Sequence, residues 1–202
     1  MKRGTVLLWS LVGAAAVALG IMLAQLLVPA SVSLAAGTWL PQPQAVSDFH
    51  LTDLSGRDFS PANLRGHPSL LFFGFTNCPD VCPVTLATLS QLPRDTLPGM
   101  RVVFVSIDPQ RDSRAVLQAY LAAFSPQFLG ARGSQTQLAP LLKSLHVGVR
   151  QEPLPDGNYT MQHSDALYLL NPRGQLAAVF TPPYSVAALG ADLRRIAASD
   201  EL

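Results

Sequence analysis

Apolar residues run almost unbroken from Thr5 to Val28 (TVLLWSLVGAAAVALGIMLAQLLV), and between Arg3 and Asp48 there is no charged side chain. At a helical rise of ~1.5 Å per residue the run reaches roughly 36 Å, enough for a hydrocarbon core of about 30 Å. It exceeds the ~7–15-residue apolar core of a cleaved signal peptide. One retained N-terminal transmembrane helix is therefore expected, within an anchor segment at residues 1–36; cleavage near Ser33 to Ala35 is the alternative. No cysteine follows the run, which argues against a lipid anchor. Lys2 and Arg3 precede the span and favour an N-terminus inside and the remainder outside.

Beyond the anchor the pattern changes period. GTWLPQPQ at 37–44 is uncharged and proline-bearing and reads as a linker to a domain at 45–202. Phe49 and Leu51 alternate with polar neighbours, and SGRDFS follows, which predicts two short strands about a turn. LLFFGF (Leu70 to Phe75) is apolar throughout, the signature of a strand covered on both faces. VTLATLSQL (Val84 to Leu92) suits a helix and RVVFVSID (Arg101 to Asp108) a second buried strand. Helices are predicted over Ser113 to Phe124, with Ser113 as N-cap, and over Ser134 to Leu145, where Pro140 is a weak point. VGVRQE and NYTMQH bracket LPDG as a hairpin, and ALYLLNPRGQLAAVF reads as strand, turn, strand. SVAALGADLRRIAA closes the chain as a helix. This order predicts an α/β domain with a central mixed sheet flanked by helices. A strand running into a cysteine-bearing loop and helix is the thioredoxin-like layout.

Composition narrows the function. The net charge is +1, and without Lys2 and Arg3 the rest carries −1, so there is no electrostatic footprint for nucleic acid. A domain of this size buries a sizeable core without staples, so a disulfide is not needed for folding. Yet the 2 cysteines stand together in TNCPDVCP, as Cys78 and Cys82. If Pro79 to Pro83 open a helix, they lie i and i+4 on one face, with Cβ atoms about 5–6 Å apart. That spacing admits a disulfide or two thiolates on one soft metal ion. A helix N-terminus favours the thiolate in either case. Three residues intervene rather than the two of the usual dithiol motif. Staple, redox pair and metal ligands all remain open on these residues alone.

A third ligand would settle the choice toward metal. His50, His67 and His146 read as structural or surface residues, whereas His163 ends a strand-like segment just before the apolar run ALYLL. Met161 is a conceivable soft ligand, but its alternation with Gln162 reads as packing.

FFGFTNCPDVCP, VSIDPQRD and HSDALYLLNPRG occur in that order, and together they resemble the Sco/SenC family of copper-binding, thioredoxin-like proteins. The resemblance covers most of the domain. It implies copper, Cu(I) or Cu(II), held by Cys78, Cys82 and His163. It further implies a membrane-anchored copper chaperone that helps build the dinuclear copper centre of cytochrome c oxidase subunit II. The alternative is a thiol–disulfide oxidoreductase that keeps that subunit's cysteines reduced, with Cys78 and Cys82 as its redox pair. Metal delivery is transfer rather than turnover, so an enzyme in the ordinary sense is not implied. Expected partners are subunit II, a copper donor or thioredoxin-like reductant, and the membrane. A peroxidase of peroxiredoxin type fits less well, although Thr76 is present, because C-P-D-V-C-P is not its arrangement. Phe72, Phe73 and Phe75 are expected beneath the site, and Asp108 and Asp112 are expected to order their loop. Two departures stand out: Gln162 occupies the place of an acidic residue before the histidine, and Asn171 begins the N-P-R-G turn. Asp165 is a substitute carboxylate for orienting the imidazole. No Arg- and Ser-rich transit segment is seen, so the bacterial inner membrane, with the domain in the periplasm, is the expected location.

Overall fold

Residues 3–27, 32–155, 157–199 and 202 are described in the computed structural model. Met1, Lys2 and residues 28–31 of the expected anchor lie outside them, as does Asp156 of the LPDG turn. The chain divides into two units, Met1–Ser31 and Val32–Leu202. In the first, helix α1 (Arg3–Leu27) occupies most of the apolar run. Among the described residues no helix is long and apolar enough to cross a membrane. The side chains described in α1 are Trp9 and those of residues 12–23, and that run covers roughly 18 Å at 1.5 Å per residue against a core of about 30 Å.

The second unit opens with a correction. Residues 37–44, expected as linker, lie within strand β1 (Gly37–Ala45). The reason is Trp39, which is buried opposite Ala178 of a neighbouring strand. Pro41 and Pro43 fall where the register shifts between Trp39 and Gln44, and β1 is an edge strand, so their missing donors break no ladder. The short pair β2 (Leu51–Asp53) and β3 (Asp58–Phe59) follows as expected. Next come β4 (Ser69–Gly74), helix α2 (Val81–Ser90) and β5 (Arg101–Ser106). Helix α3 (Arg114–Ala122) starts where Ser113 accepts the Val116 N–H. Strand β6 (Leu129–Arg132), too short to stand out in the sequence, precedes helix α4 (Gln135–Ser144). Helix α4 contains Pro140 in its interior and opens on a Ser134–Gln137 capping box. The hairpin β7 (Val149–Pro153) and β8 (Tyr159–His163) is a separate two-stranded sheet. Strands β9 (Leu167–Leu170) and β10 (Gln175–Phe180) and helix α5 (Val186–Ala197) complete the unit.

The main sheet has eight strands in the order β1-β10-β9-β4-β5-β6-β2-β3. It is mixed: β4, β5 and β6 are parallel, whereas β9 runs antiparallel to β4. Every residue of β4 is buried, as the uninterrupted SLLFFG run demands. Phe72 meets Phe104 edge-on at 5.8 Å and Phe73 meets Tyr168 at 5.6 Å, pairs worth about 0.5–1.5 kcal/mol each beyond burial. The antiparallel pairing of β4 with β9 matters most for function. Phe72 lies opposite Leu167, so the residues after β4 and those before β9 emerge at the same edge of the sheet. A histidine distant in sequence is thereby delivered to the cysteine loop.

Candidate metal centre

Cys78, Cys82 and His163 come together at that edge, with one ligand atom from each lying within 4.8 Å of the others. The Cys82 sulfur is 3.7 Å from His163 Nε2. Three ligands around one ion, with M–S ~2.3 Å and M–N ~2.0 Å, would stand roughly 3.7–4.0 Å apart. The trio therefore fits a single soft ion after a contraction of less than an ångström. No other group of three or more His, Cys, Asp or Glu residues meets that criterion among the described residues.

The cysteines are not equivalent. Helix α2 begins at Val81, so Cys82 is helical and Cys78 lies in the preceding loop, which corrects the expectation that both sit on one helical face. The Asp80 side chain makes no cap hydrogen bond. The Cys78 sulfur takes that place, accepting the Cys82 N–H at 3.4 Å. Hydrogen bonding from the Cys82 thiol, then from the His163 imidazole and the helix-start N–H groups, outweighs burial and holds the Cys78 thiol down at about 3. The same pairing with Cys78, together with burial, pushes the Cys82 thiol far up. Burial opposes a charge on His163, but the Cys78 sulfur, the Ser164 carbonyl and Asp165 together raise it above its ordinary value. Without metal, the pairing thus favours a thiolate at Cys78 and a proton at Cys82. Both cysteines are free thiols.

The imidazole is set by its surroundings. Nδ1 lies 3.0 Å from the Ser164 carbonyl, which fixes it as the protonated nitrogen and leaves Nε2 toward the sulfurs. Asp165, expected as the orienting carboxylate, stands farther off at 3.6 Å. Phe72 and Phe75 meet the ring edge-on at 6.3 and 6.0 Å and form the expected apolar floor, while Phe73 packs on Tyr168 instead. Outward, a cavity of about 380 Å³ opens beside His163, lined by Gly148, Val149, Arg150, Gln162 and Ser164. Gln162 itself is exposed and bonded to Glu152 and Arg150.

The D-P-x-R-D stretch holds both sides of the site. Buried Asp112 accepts from the Thr76 hydroxyl at 2.6 Å, from its N–H at 3.2 Å and from Ser106 at 2.6 Å, pinning the cysteine loop. Buried Asp108 binds Arg111 and the Tyr159 hydroxyl. Arg111 donates to the Tyr159 carbonyl at 2.9 Å and lies over that ring at 3.8 Å, so it secures the start of the strand that ends in His163. The loop-ordering role expected of Asp108 and Asp112 is what these bonds do.

Some contributors were not legible as site residues. A Cβ at Gly74 would come within 2.8 Å of the Cys82 sulfur, so glycine here makes room for the thiol. A lone glycine inside a bulky strand was the available signal. Arg111 and Tyr159 carried none. Met161 is buried and packs, as expected. His50 lies beside Asp58 on the surface and, like His67 and His146, is not part of the trio. Buried Asn171 serves its turn, accepting the Arg173 and Gln175 N–H groups at 3.0 Å each.

Comparison with known proteins places this geometry. The SCO1/SenC family model matches residues 39–198. A Stutzerimonas stutzeri protein named as copper-binding is 34% identical over 154 residues, covering 74% of this chain and 76% of its own. The human mitochondrial SCO2 homolog is 38% identical over 154 residues, covering 73% of this chain but only 58% of its own length. The solved structure of Bradyrhizobium japonicum ScoI with copper bound superposes with a TM-score of 0.67 at 35% identity, over 75% of this chain and 99% of that one. With the family model matching most of the chain and a relative sharing three-quarters of its length, the chain belongs to the SCO1/SenC family.

Proposed function

We propose that this protein is a copper-binding assembly factor that takes up one copper ion on Cys78, Cys82 and His163 and delivers it to the dinuclear copper centre of cytochrome c oxidase subunit II. The observation that carries the reading is the convergence of these three ligand atoms within 4.8 Å from segments 81 residues apart. Two sulfurs and one imidazole suit a soft ion, and relatives solved with copper bound support copper as the cargo. Uptake releases the Cys82 proton, because only the thiolate ligates. A three-ligand site beside an open cavity lets an incoming thiolate bind the ion before Cys78 or His163 departs, so charge stays compensated throughout. The run from Thr5 to Val28 supports a membrane tether, with the folded unit on the periplasmic side of a bacterial inner membrane. Carbonate-washed membranes should retain the full chain, and release by the wash would remove the tether from the account. The transfer test is to mix copper-loaded protein with the reduced copper domain of subunit II. Copper should move to that domain; retention on the donor, or movement no faster than from free copper, would contradict delivery.

A second reading rests on the split between the thiols. A half-buried Cys78 thiolate beside a protonated, buried Cys82 is the arrangement of a dithiol reductant. Cys78 would attack a partner disulfide. Cys82, losing its proton, would then close the Cys78–Cys82 bond and free the partner as a dithiol. Two electrons pass to the partner, and an external thiol reductant must restore the pair. This reading needs both cysteines but not His163.

A further inference from the structure

We infer that the Tyr184 hydroxyl is a positioning group for the metal centre, bridging the helix that carries Cys82 to the loop that orients His163; the inference rests on the copper reading above. Thr85 lies one helical turn after Cys82 on α2, with its side chain buried. Its hydroxyl is 3.2 Å from the Tyr184 hydroxyl. The Tyr184 hydroxyl in turn donates to the Asp165 carbonyl at 3.0 Å. Asp165 directly follows Ser164, the residue whose carbonyl holds His163 Nδ1.

The polarity of this relay is fixed by the atoms. A carbonyl only accepts, so the single phenolic proton goes to Asp165. The phenol oxygen is then left to accept, and Thr85 must be the donor. A threonine within a helix otherwise turns its hydroxyl to the carbonyl one turn back, as Thr88 does to Val84. Thr85 instead spends its proton across the site. The consequence is geometric. Cys82 and His163 arrive from α2 and from the end of β8, and one phenol oxygen ties the residues next to each. It touches neither sulfur nor imidazole, so its effect is on their spacing and on the stiffness of the loop after His163.

Three variants test this. Tyr184→Phe removes only the oxygen and keeps the ring. Thr85→Val removes the donor, and Thr85→Ser restores it. In the full chain, the release of bound Cu(I) to a strong Cu(I) chelator should quicken about tenfold in Tyr184→Phe and in Thr85→Val, the low end of the effect of groups orienting metal ligands. The double variant should be no faster than either single one, and Thr85→Ser should match the parent. In the reduced, metal-free protein, the ring ¹⁵N resonances of His163 should shift or broaden in the same two variants and not in Thr85→Ser. Release within twofold of the parent together with unchanged His163 resonances would overturn the proposal. So would equal weakening by Thr85→Val and Thr85→Ser, which would mark packing rather than the hydroxyl. If the parent itself retains no copper, the copper reading fails, and the metal-free resonances still decide whether the bridge positions His163.

Discussion

Cys82 reaches the proposed metal centre from a helix seated on an eight-stranded sheet, buried with its sulfur against Gly74. His163 reaches it from the last residue of a two-stranded hairpin whose other side chains, Met161 apart, are exposed or half-buried, while its own imidazole is buried against Phe72 and Phe75. The helix that carries Cys82 is therefore packed along its length, whereas the strand that carries His163 is held mainly at its end, by the buried imidazole and a few hydrogen bonds. Close-packed interiors resist displacement, whereas a small exposed hairpin opens at low cost. The difference teaches how such a site can both hold and release an ion. Cys82 is thus expected to keep its geometry and the hairpin to yield first. Three attachments restrain that motion: Arg111 on Tyr159, the Ser164 carbonyl on the imidazole, and the Tyr184 bridge.

The largest effect on stability is expected at Arg111. Arg111→Ala leaves the buried Asp108 carboxylate without its cation, at a cost of about 2–3 kcal/mol given the partial exposure of the guanidinium. Amide exchange should quicken over Tyr159–His163 well beyond any change in β4 and β5. Equal acceleration in all three strands would break the comparison, because the hairpin would then share the stability of the sheet.

Gly74→Ala strikes the other half. The added methyl meets the Cys82 sulfur and the Phe104 ring, and overpacking of this kind costs about 1–3 kcal/mol. The thermal midpoint should fall by roughly 2–4 °C per kcal/mol. Copper retention should fall with it, since the sulfur has no room to yield. An unchanged midpoint would show that the rigid half gives more than its packing allows.

Acidity separates the halves next. His163 is raised above its ordinary value and the Cys82 thiol is raised as well, so Cys82 must lose a proton before it ligates, and at pH below the raised value so must His163. Copper affinity should therefore rise with pH, by about tenfold per unit for each proton released, and weaken as pH falls below the raised His163 value. In His163→Ala the proton owed to the imidazole is gone, so the slope should drop by one proton at pH below the raised His163 value. An identical slope in both proteins would mean that His163 is not deprotonated on binding.

The smallest effect is expected on the outer face of the hairpin. Gln162 bonds to Glu152 and Arg150 at the surface, and Gln162→Ala should change stability by less than about 0.5 kcal/mol and leave copper release unaltered. A larger change in release would sharpen the picture by adding the neighbour of His163 to the restraints.

The cysteine pair and the fold class were readable in the sequence because each has a local signature, whereas His163 entered only through the family resemblance. The cysteines stand in one short segment, and β4 announces itself by an unbroken apolar run that only a doubly covered strand tolerates. What the sequence did not yield depends on the sheet. Residues 37–44 read as linker because two prolines outweigh one tryptophan locally, and only pairing with β10 reveals what Trp39 buries against. Strand β6, with four residues, has too little pattern of its own. Cys78 read as helical because α2 was extended backward through Pro79, whereas the helix starts at Val81. Tyr184, Thr85 and Arg111 are ordinary residues in ordinary stretches, and their part in the site comes from which chain segments β4 and β9 bring to one edge.

His163 is proposed to complete the site from the hairpin side. The most direct measurement is a count of tightly bound copper in the reduced full chain, loaded anaerobically, beside His163→Ala. One copper per chain is predicted in the parent and a roughly 100- to 1,000-fold loss of affinity in the variant, the share of one ligand if the ~10–16 kcal/mol of a structural zinc site is divided over its four ligands. Equal, weak binding in both proteins would contradict it and leave Cys78 and Cys82 as a redox pair.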